Sequence, residues 1–533
     1  MKWCTKRKQA LLNPYQLGLL LLATSNLIHT FFLQKSMDQT LPDTLVNLKS
    51  SPIFYLLPII FILLFNYIIS PFRKRPSLPP GPTPWPLIGN ILHLQKKMHI
   101  SMANLAKSYG PLISLKLGTQ VVTVASSPPA AAEILKNQDR LLSARFVRKA
   151  VPCGIDVLER ISLVWNPTCS DQWKFLRTLS RTELFSAKAI ESQASLREKK
   201  LMEMIELLKS KQGEVVNIGE IVFAAVFNTL SNLLFSKDLI GLEDEGKATG
   251  VKGTVWKLME MATSPNIAEF YPILEVLDLQ GLKRKASSCI KELFGVWEIY
   301  IKERRERPPQ NTDFLDVFLA NGFDDDQINW LAMFLNAGTD TTTTTIEWAM
   351  AELVKNKQTM EKLEEELERE IDNKTINESQ VSQLPYLNAC IKETLRLHPP
   401  VPFLLPRRAL ETCEIMNYTI PKDAQLLVNF WAIATDSSTW EDPLSFKPER
   451  FLTTVVDFKG HDFGLIPFGS GRRICSGLPM AARQLPLILG YLIRCFHWSL
   501  LNGENLNNLD MSEKFGITLQ KEQLLHVIPT RKF

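Results

Sequence analysis

Little in the sequence points to a disulfide framework, a zinc site or a nucleic-acid partner. The eight cysteines are scattered and include no CxxC pair, so neither structural zinc nor a set of disulfides is indicated. The formal net charge is only +5 over 533 residues, and no run interleaves basic with aromatic side chains. The sequence therefore argues against binding to DNA or RNA and is typical of a protein kept in a reducing compartment.

A glycine-rich dinucleotide fingerprint and internal repeats are absent as well, and no second linker divides the chain after residue 90. Hydrophobic residues make up 45% and charged residues 22% of the chain, which is ordinary for a globular protein with a buried core. Most of the chain after residue 90 shows helical periodicity, and its β-rich runs are few and short. We therefore predict a mainly α fold with minor β, in one domain over residues 91–533.

The N-terminal region contains an uncharged run, residues 53–70, whose eighteen residues are about the minimum for a membrane-spanning helix. A basic triplet at residues 73–75 comes directly after it, and the positive-inside rule then places the rest of the chain in the cytosol. Prolines dominate the next residues and exclude both helix and central strand. We therefore predict a membrane anchor over residues 37–72 and a stiff linker over residues 73–90.

Residues 1–36 form an additional N-terminal segment with a second apolar stretch, residues 11–33, after a basic patch at residues 6–8. Three interpretations remain open. The stretch is a first spanning helix that makes a hairpin with the anchor, or a cleaved signal or transit segment, since the first acidic residue is Asp38. In the third interpretation, translation begins at Met37 and these residues do not belong to the protein.

The segment PFGSGRRICSG is the most informative pattern in the chain. Its glycines permit a tight turn that brings backbone N–H groups near the sulfur of Cys475. These donors, together with the start of the next helix, favour a thiolate over a thiol. Five positions match the haem-thiolate signature FxxGxRxCxG, and in them the chain resembles the cytochrome P-450 family: Phe468, Gly471, Arg473, Cys475 and Gly477.

The resemblance implies roles for three residues of this loop. Cys475 is expected to be the axial ligand of the iron in haem b, Arg473 to pair with a haem propionate, and Phe468 to cover the proximal haem face. An axial thiolate pushes electron density onto the iron, which favours cleavage of the O–O bond. We therefore expect an enzyme that activates dioxygen.

A second motif, AGTDTT, lies within a long predicted helix. Gly338 removes a side chain where oxygen is expected to sit, and the hydroxyl of Thr341 can bond back to the carbonyl of Ala337, four residues earlier. Asp340 can relay protons during oxygen activation. Threonines are poor helix formers, so propensity alone does not account for this run. Asp340 and Thr341 are therefore our candidate catalytic residues.

Two weaker motifs fit the same resemblance. Glu393 and Arg396 form an ExxR pair that shares one helix face. In the family this pair also engages an arginine of a downstream motif, which is Arg450 in the segment PERF. The resemblance implies a structural role for this triad, as a buried and multiply bonded network behind the haem.

Further contacts to the haem propionates are expected from other parts of the chain. Trp173 and Arg177 lie four residues apart in a WxxxR motif and therefore share a helix face. Arg407, directly after Pro406, resembles another propionate contact of the family. The predicted substrate pocket is apolar and takes residues from three segments: Met333, Ala337, Val401, Leu405 and Phe515.

The lack of a dinucleotide motif means that electrons must come from another protein. The resemblance implies an NADPH–cytochrome P-450 reductase on the same membrane, which makes the endoplasmic reticulum the expected location, with the catalytic domain in the cytosol. The motifs occur in family order, and the resemblance covers essentially everything after the anchor. A small-molecule substrate completes the expected set of partners.

Several stretches of the body narrow the resemblance. Segments such as RTELFSAKAIESQASLREKK and DDQINWLAMFLNAGTDTTTTTIEWAMAEL resemble plant microsomal members that act on benzylisoquinoline alkaloids, the N-methylcoclaurine 3'-hydroxylase group. This implies insertion of one oxygen atom from O2 into an apolar or aromatic plant metabolite. The group is chemically mixed, so phenol coupling or rearrangement without oxygen insertion remains an alternative. Terpenoid hydroxylation of the geraniol type is another, because that branch shares the sequence CxGLPMA.

Overall fold

The computed structural model describes residues 77–242, 245–306, 313–371, 378–501 and 509–532, which all belong to one compact unit that begins at Pro76. The predicted anchor run 53–70 and the additional residues 1–36 lie outside the described residues. The described part of the predicted linker bonds to the body, since Ser114 N donates to Pro80 O at 2.9 Å and Asn90 N to Lys116 O at 2.6 Å. Residues 77–90 are therefore part of the catalytic body.

The structure is mostly helical, as predicted. Apolar residues at helical spacing give most helices one buried face, and several begin at a Ser, Asn or Asp that caps the first turn. In chain order the described helices are α1 (Met98–Tyr109), α2 (Pro128–Ala132), α3 (Asp139–Leu142), α4 (Ile155–Ile161), α5 (Asp171–Glu183), α6 (Ala187–Ser192), α7 (Ala194–Ser210), α8 (Ile218–Phe235), α9 (Glu245–Thr263), α10 (Ile267–Phe270), α11 (Leu282–Glu306), α12 (Phe314–Ala320), α13 (Asp325–Ala332), α14 (Phe334–Lys355), α15 (Lys357–Glu370), α16 (Glu378–Val381), α17 (Pro385–Leu397), α18 (Phe430–Ala434) and α19 (Leu478–Cys495).

The strands are short. In chain order they are β1 (Leu112–Leu117), β2 (Gln120–Ala125), β3 (Ala144–Arg145), β4 (Val216–Asn217), β5 (Arg407–Arg408), β6 (Cys413–Ile415), β7 (Tyr418–Ile420), β8 (Gln425–Val428), β9 (Phe496–Ser499), β10 (Glu513–Lys514), β11 (Gln520–Lys521) and β12 (His526–Arg531). The largest sheet has the order β1-β2-β8-β5-β3, with β2 and β8 parallel. Strand β8, which comes late in the chain, therefore belongs to the same sheet as the early strands β1 and β2.

Helix α14 is central to the arrangement, because it packs along α8 and also contacts α17 and α19. Among the described residues, α8 alone is long and apolar enough to cross a membrane, but 78% of it is buried inside the protein. Its side chains join the core clusters on both sides, which accounts for its lack of a polar face. Helix α8 is thus a core helix that supports α14.

The helix predicted as one continuous element over residues 325–356 is divided in two at Met333. The N–H of Met333 bonds to Trp330 O at 3.3 Å, and the N–H of Asn336 bonds to Met333 O at 3.2 Å. These i to i−3 bonds tighten the chain locally and interrupt the α-helix. The break places Met333 at the start of α14, where that helix begins to line a cavity.

Candidate functional site

The cysteine loop is shaped by glycines that no other residue could replace without strain. Gly469 and Gly471 have φ of +73° and +71°, in the left-handed region. A Cβ on Gly471 would also collide with the backbone oxygen of Leu135. The turn is closed by the N–H of Cys475, which donates to Phe468 O at 3.0 Å.

The sulfur of Cys475 faces a cavity at the start of a helix. Helix α19 begins at Leu478, and its first N–H groups point toward the sulfur. Burial raises the pKa of the Cys475 thiol, whereas the N–H groups of Gly477 and Leu478 and the guanidinium of Arg177 act in the opposite direction. This is the donor arrangement that the loop sequence predicts.

The cavity extends from this loop to α14 and has a volume of about 420 Å³. Its wall is largely apolar, and four of the five predicted pocket residues line it: Met333, Ala337, Val401 and Leu405. Thr341, Asp340 and Phe468 line it as well. The cysteine and the AGTDTT motif therefore face one common space.

Phe515 does not line this cavity, and its prediction as a pocket residue is wrong. Its ring stacks on His99 with centroids 5.3 Å apart and meets the edge of Phe403 at 5.9 Å. The chain bends over residues 516–518, so that Ile517 and Thr518 reach the cavity instead. Periodicity could not indicate this bend.

The AGTDTT motif has the hydrogen bond expected from its sequence. Thr341 Oγ1 donates to Ala337 O at 2.8 Å, on the cavity side of α14. Gly338 has a packing reason that the sequence did not reveal, because a Cβ there would lie 2.8 Å from Leu230 Cδ1. The glycine thus also allows the close approach of α8 to α14.

Asp340 lies beside Thr341 in the chain but is almost completely buried. Its carboxylate accepts hydrogen bonds from Trp256 Nε1 at 2.9 Å, Thr518 Oγ1 at 2.6 Å and Gln520 Nε2 at 3.2 Å. Burial raises the pKa of Asp340, and these bonds together with the charge of Lys252 act in the opposite direction. The carboxyl of Asp340 is therefore buried and held by three side-chain donors.

A cluster of four largely buried arginines lines the cavity: Arg145, Arg177, Arg407 and Arg473. In the part of the chain that the structure describes, none of the four forms an ion pair with a carboxylate, and they donate mainly to backbone carbonyls. Burial lowers the pKa of Arg407 and Arg473 to about 10, and repulsion within the cluster adds to this effect. Such a set of buried cations requires an anionic group.

Arg145 has no sequence motif and was not among the predicted site residues. It lies in β3, its guanidinium donates to Val164 O and Leu405 O, and burial and the charge of Arg473 hold its pKa well below the usual range. The available signal is an arginine between Ala144 and Phe146 in a short apolar run. A charged residue at a buried strand position usually has a function.

Trp173 contributes its ring rather than its N–H group. The indole N–H donates to Leu163 O at 3.0 Å, while the guanidinium carbons of Arg473 and Arg177 lie 4.4 and 5.5 Å from the ring centroid. A cation over an aromatic face is stabilised by the ring quadrupole. Trp173 therefore supports two arginines of the cluster, and its N–H is already engaged by a protein acceptor.

Glu393, Arg396 and Arg450 form one network, with the first two completely buried. Arg396 binds both oxygens of Glu393, at 2.7 and 2.8 Å, and Arg450 Nε lies 3.1 Å from Glu393 Oε1. The remaining donors of Arg396 bond to backbone carbonyls, including Ala434 O at 2.6 Å. The network ties α17 to the segment that leads to the cysteine loop.

Taken together, a cysteine at a helix start, an apolar cavity above it and buried cations beside it define a site of the haem-thiolate class. The unpaired arginines suit the two propionates of haem, and the accessible thiol suits its iron.

Comparisons with known proteins agree with this class. The family model of cytochrome P-450 matches residues 79–527. The chain is 50% identical to a Coptis japonica protein named "Probable (S)-N-methylcoclaurine 3'-hydroxylase isozyme 2", over 88% of this chain and 96% of the relative. It is 46% identical to corytuberine synthase of Coptis japonica over 90% and 98%, and 42% identical to geraniol 8-hydroxylase of Catharanthus roseus over 87% and 96%.

The chain therefore belongs to the cytochrome P-450 family. It is a monooxygenase that uses haem and dioxygen, and a separate redox partner supplies its electrons.

Proposed function

We propose that the protein hydroxylates a benzylisoquinoline alkaloid by inserting one oxygen atom from O2. The observation that carries this proposal is the similarity at 46–50% identity to relatives named (S)-N-methylcoclaurine 3'-hydroxylase over most of the chain. The apolar cavity between Cys475 and α14 supports it, since such a wall suits an aromatic substrate.

Haem b is the cofactor in this proposal, and the sulfur of Cys475 would hold its iron. When bound, the haem supplies the iron that activates dioxygen. The N–H groups at the start of α19 oppose the rise that burial causes in the pKa of Cys475, and the arginine cluster would hold the propionates. Phe468, which also packs against Phe458, covers the proximal side.

Thr341 and Asp340 handle the protons that oxygen activation consumes. Because Thr341 Oγ1 is anchored to Ala337 O, the hydroxyl keeps a fixed position at the cavity wall. Asp340, next to it in the chain, is the acid that we assign to this proton delivery, and its carboxyl is held by Trp256, Thr518 and Gln520. Electrons come from an NADPH–cytochrome P-450 reductase on the endoplasmic reticulum membrane, with the body of the protein in the cytosol.

The test is product analysis in microsomes that contain the protein and the reductase, under isotopically labelled dioxygen. With a benzylisoquinoline such as N-methylcoclaurine, we expect one labelled oxygen atom in the product. The variant Thr341→Val, which removes the hydroxyl at nearly constant volume, should consume NADPH while product falls and peroxide rises. Failure of all benzylisoquinolines to react would contradict the proposed substrate class.

A second candidate reaction is suggested by the relative named corytuberine synthase, because that name is not a hydroxylase name. If an alkaloid product forms without labelled oxygen, coupling or rearrangement replaces hydroxylation. Turnover of geraniol in the same assay, without turnover of alkaloids, would favour the terpenoid alternative that the relative geraniol 8-hydroxylase suggests.

A further inference from the structure

The carboxylate of Asp340 is held by groups from elements that lie far apart in the sequence. Trp256 belongs to α9, whereas Thr518 and Gln520 belong to the hairpin near the C-terminus. Three donors on one carboxylate fix its orientation on the cavity side of α14.

Helix α9 also forms part of the cavity wall. Leu258 and Met259, within one turn of Trp256, line the cavity beside α14. The helix that donates to Asp340 is therefore one that a substrate would contact. Trp256 is thus within one helical turn of the residues of α9 that line the cavity.

Lys252 lies one turn before Trp256 on the same helix and is 1% exposed. Its ammonium lies 4.4 Å from the centroid of the Trp256 ring and 2.9 Å from Glu220 Oε1. Burial raises the pKa of Asp340 and of Glu347, and the charge of Lys252 opposes that rise in both. Burying a lysine is costly, so this position requires an anionic neighbour.

Charged groups near Asp340 and Lys252 lie on three elements besides α9. Lys252 is the charged group that acts on Asp340, and Glu220 on α8 pairs with Lys252. The other two groups are Glu347 on α14 and Lys521 on β11, and the charge of each acts on the pKa of the other. Glu220 is partly exposed, so the cluster reaches from the cavity wall to solvent.

We propose that Trp256 and Lys252 are positioning residues for Asp340. The indole N–H of Trp256 fixes the orientation of the carboxylate, and the ammonium of Lys252 lies over the ring of the same indole, so that both act on Asp340 from α9. This inference rests on the proposed role of Asp340 in proton delivery.

The first test is Trp256→Phe, which removes the N–H and keeps an aromatic ring. The spectrum of the reduced CO complex should remain, while product per NADPH falls several-fold and peroxide rises. The matched control is Trp297→Phe, because the indole of Trp297 also donates to a side chain, Asn329, at 3.0 Å. The control should leave product per NADPH unchanged.

The second test uses the charge of Lys252. Lys252→Met should uncouple NADPH use from product several-fold, and Lys252→Arg, which keeps a cation, should restore most of the coupling. The two variants at Lys252 still test the inference if Trp256→Phe incorporates haem poorly. Equal coupling in Met and Arg variants would contradict a role for the charge.

A pH series separates positioning from a merely structural role. The hydrogen bond from Trp256 and the charge of Lys252 both lower the pKa of Asp340, so losing either should raise it. The acid limb of product per NADPH should then move to higher pH in Trp256→Phe and Lys252→Met. The infrared band of the protonated carboxyl, assigned by its loss in Asp340→Asn, should titrate at higher pH in both.

An unchanged pH profile and carboxyl band in both variants would overturn the inference. If Asp340→Asn itself leaves product per NADPH unchanged, the proposed function of Asp340 fails. If Asp340→Asn uncouples and the variants at Trp256 and Lys252 do not, only the positioning role fails.

Discussion

Cys475 shows how neighbours decide the chemistry of one residue. Other cysteines of the chain, such as Cys390 and Cys413, are buried or partly buried, and burial raises the pKa of their thiols. Cys475 differs because N–H groups from the start of α19 and the guanidinium of Arg177 oppose that effect, and because its sulfur faces the cavity. These features make it the ligand that we propose for the haem iron.

We expect Cys475→Ser to lose the red-shifted Soret band of the reduced CO complex, because an alkoxide or hydroxyl cannot replace the thiolate as electron donor. Difference spectroscopy on microsomes measures this directly. Cys413→Ser is a suitable control, since Cys413 lies in β6 away from the cavity. A Cys475→Ser protein with an unchanged band would show that another residue binds the iron.

The sequence identified those site residues that belong to motifs and missed those that act through tertiary contacts. Cys475, Thr341 and Arg473 carry recognisable spacing and lie at one cavity, as expected. Arg145 and Trp256 have no motif, because their partners come from segments more than eighty residues away or from backbone carbonyls. Such partners depend on how the chain folds, which local patterns do not encode.

At the scale of elements, the network of Glu393, Arg396 and Arg450 joins helix to loop in the core. The charges are satisfied by each other and by backbone groups of further segments. Trp440 packs beside both arginines, with their guanidinium carbons 5.4 and 5.9 Å from its ring centroid. Removing one partner would leave a buried charge without compensation.

We therefore expect Glu393→Gln and Arg396→Leu each to destabilise the protein by about 3–5 kcal/mol, the usual cost of breaking a buried ion pair. The haem-loaded fraction, measured from the ratio of haem to protein absorbance, should fall strongly. Lys362→Met, which breaks an exposed pair with Glu449, should change it little. Normal haem loading in both core variants would show that the network is dispensable.

The helical character of the chain was predicted from periodicity, which is clear where one face of a helix is apolar and weak elsewhere. The segment that forms α9 contains Gly250 and Gly253, and its weak periodicity gave no helix prediction, although it supplies Trp256 to the site. Strands β2 and β8 pair in parallel, which joins residues about three hundred positions apart. Local propensity cannot specify such a partner.

At the scale of the whole molecule, the compact unit begins earlier in the chain than the domain predicted over residues 91–533. The compact unit begins at Pro76, directly after the basic triplet at residues 73–75. Trp85 and Leu87 are both about 60% exposed, and backbone hydrogen bonds hold this segment to the body. The compact unit thus supplies every residue of the site, and the chain before it is expected to decide location.

The N-terminal region before the compact unit should decide where the protein is located. The uncharged run 53–70 is long enough to span a membrane once, and the three positive charges at residues 73–75 disfavour translocation of the catalytic body. Deleting residues 1–36 should then leave an active protein in the endoplasmic reticulum fraction, because the run alone sets this topology. Protease added to intact microsomes should degrade the catalytic body, and detergent should not be needed. Protection of the body would reverse the topology, whereas loss of targeting on deletion would identify residues 1–36 as a required signal.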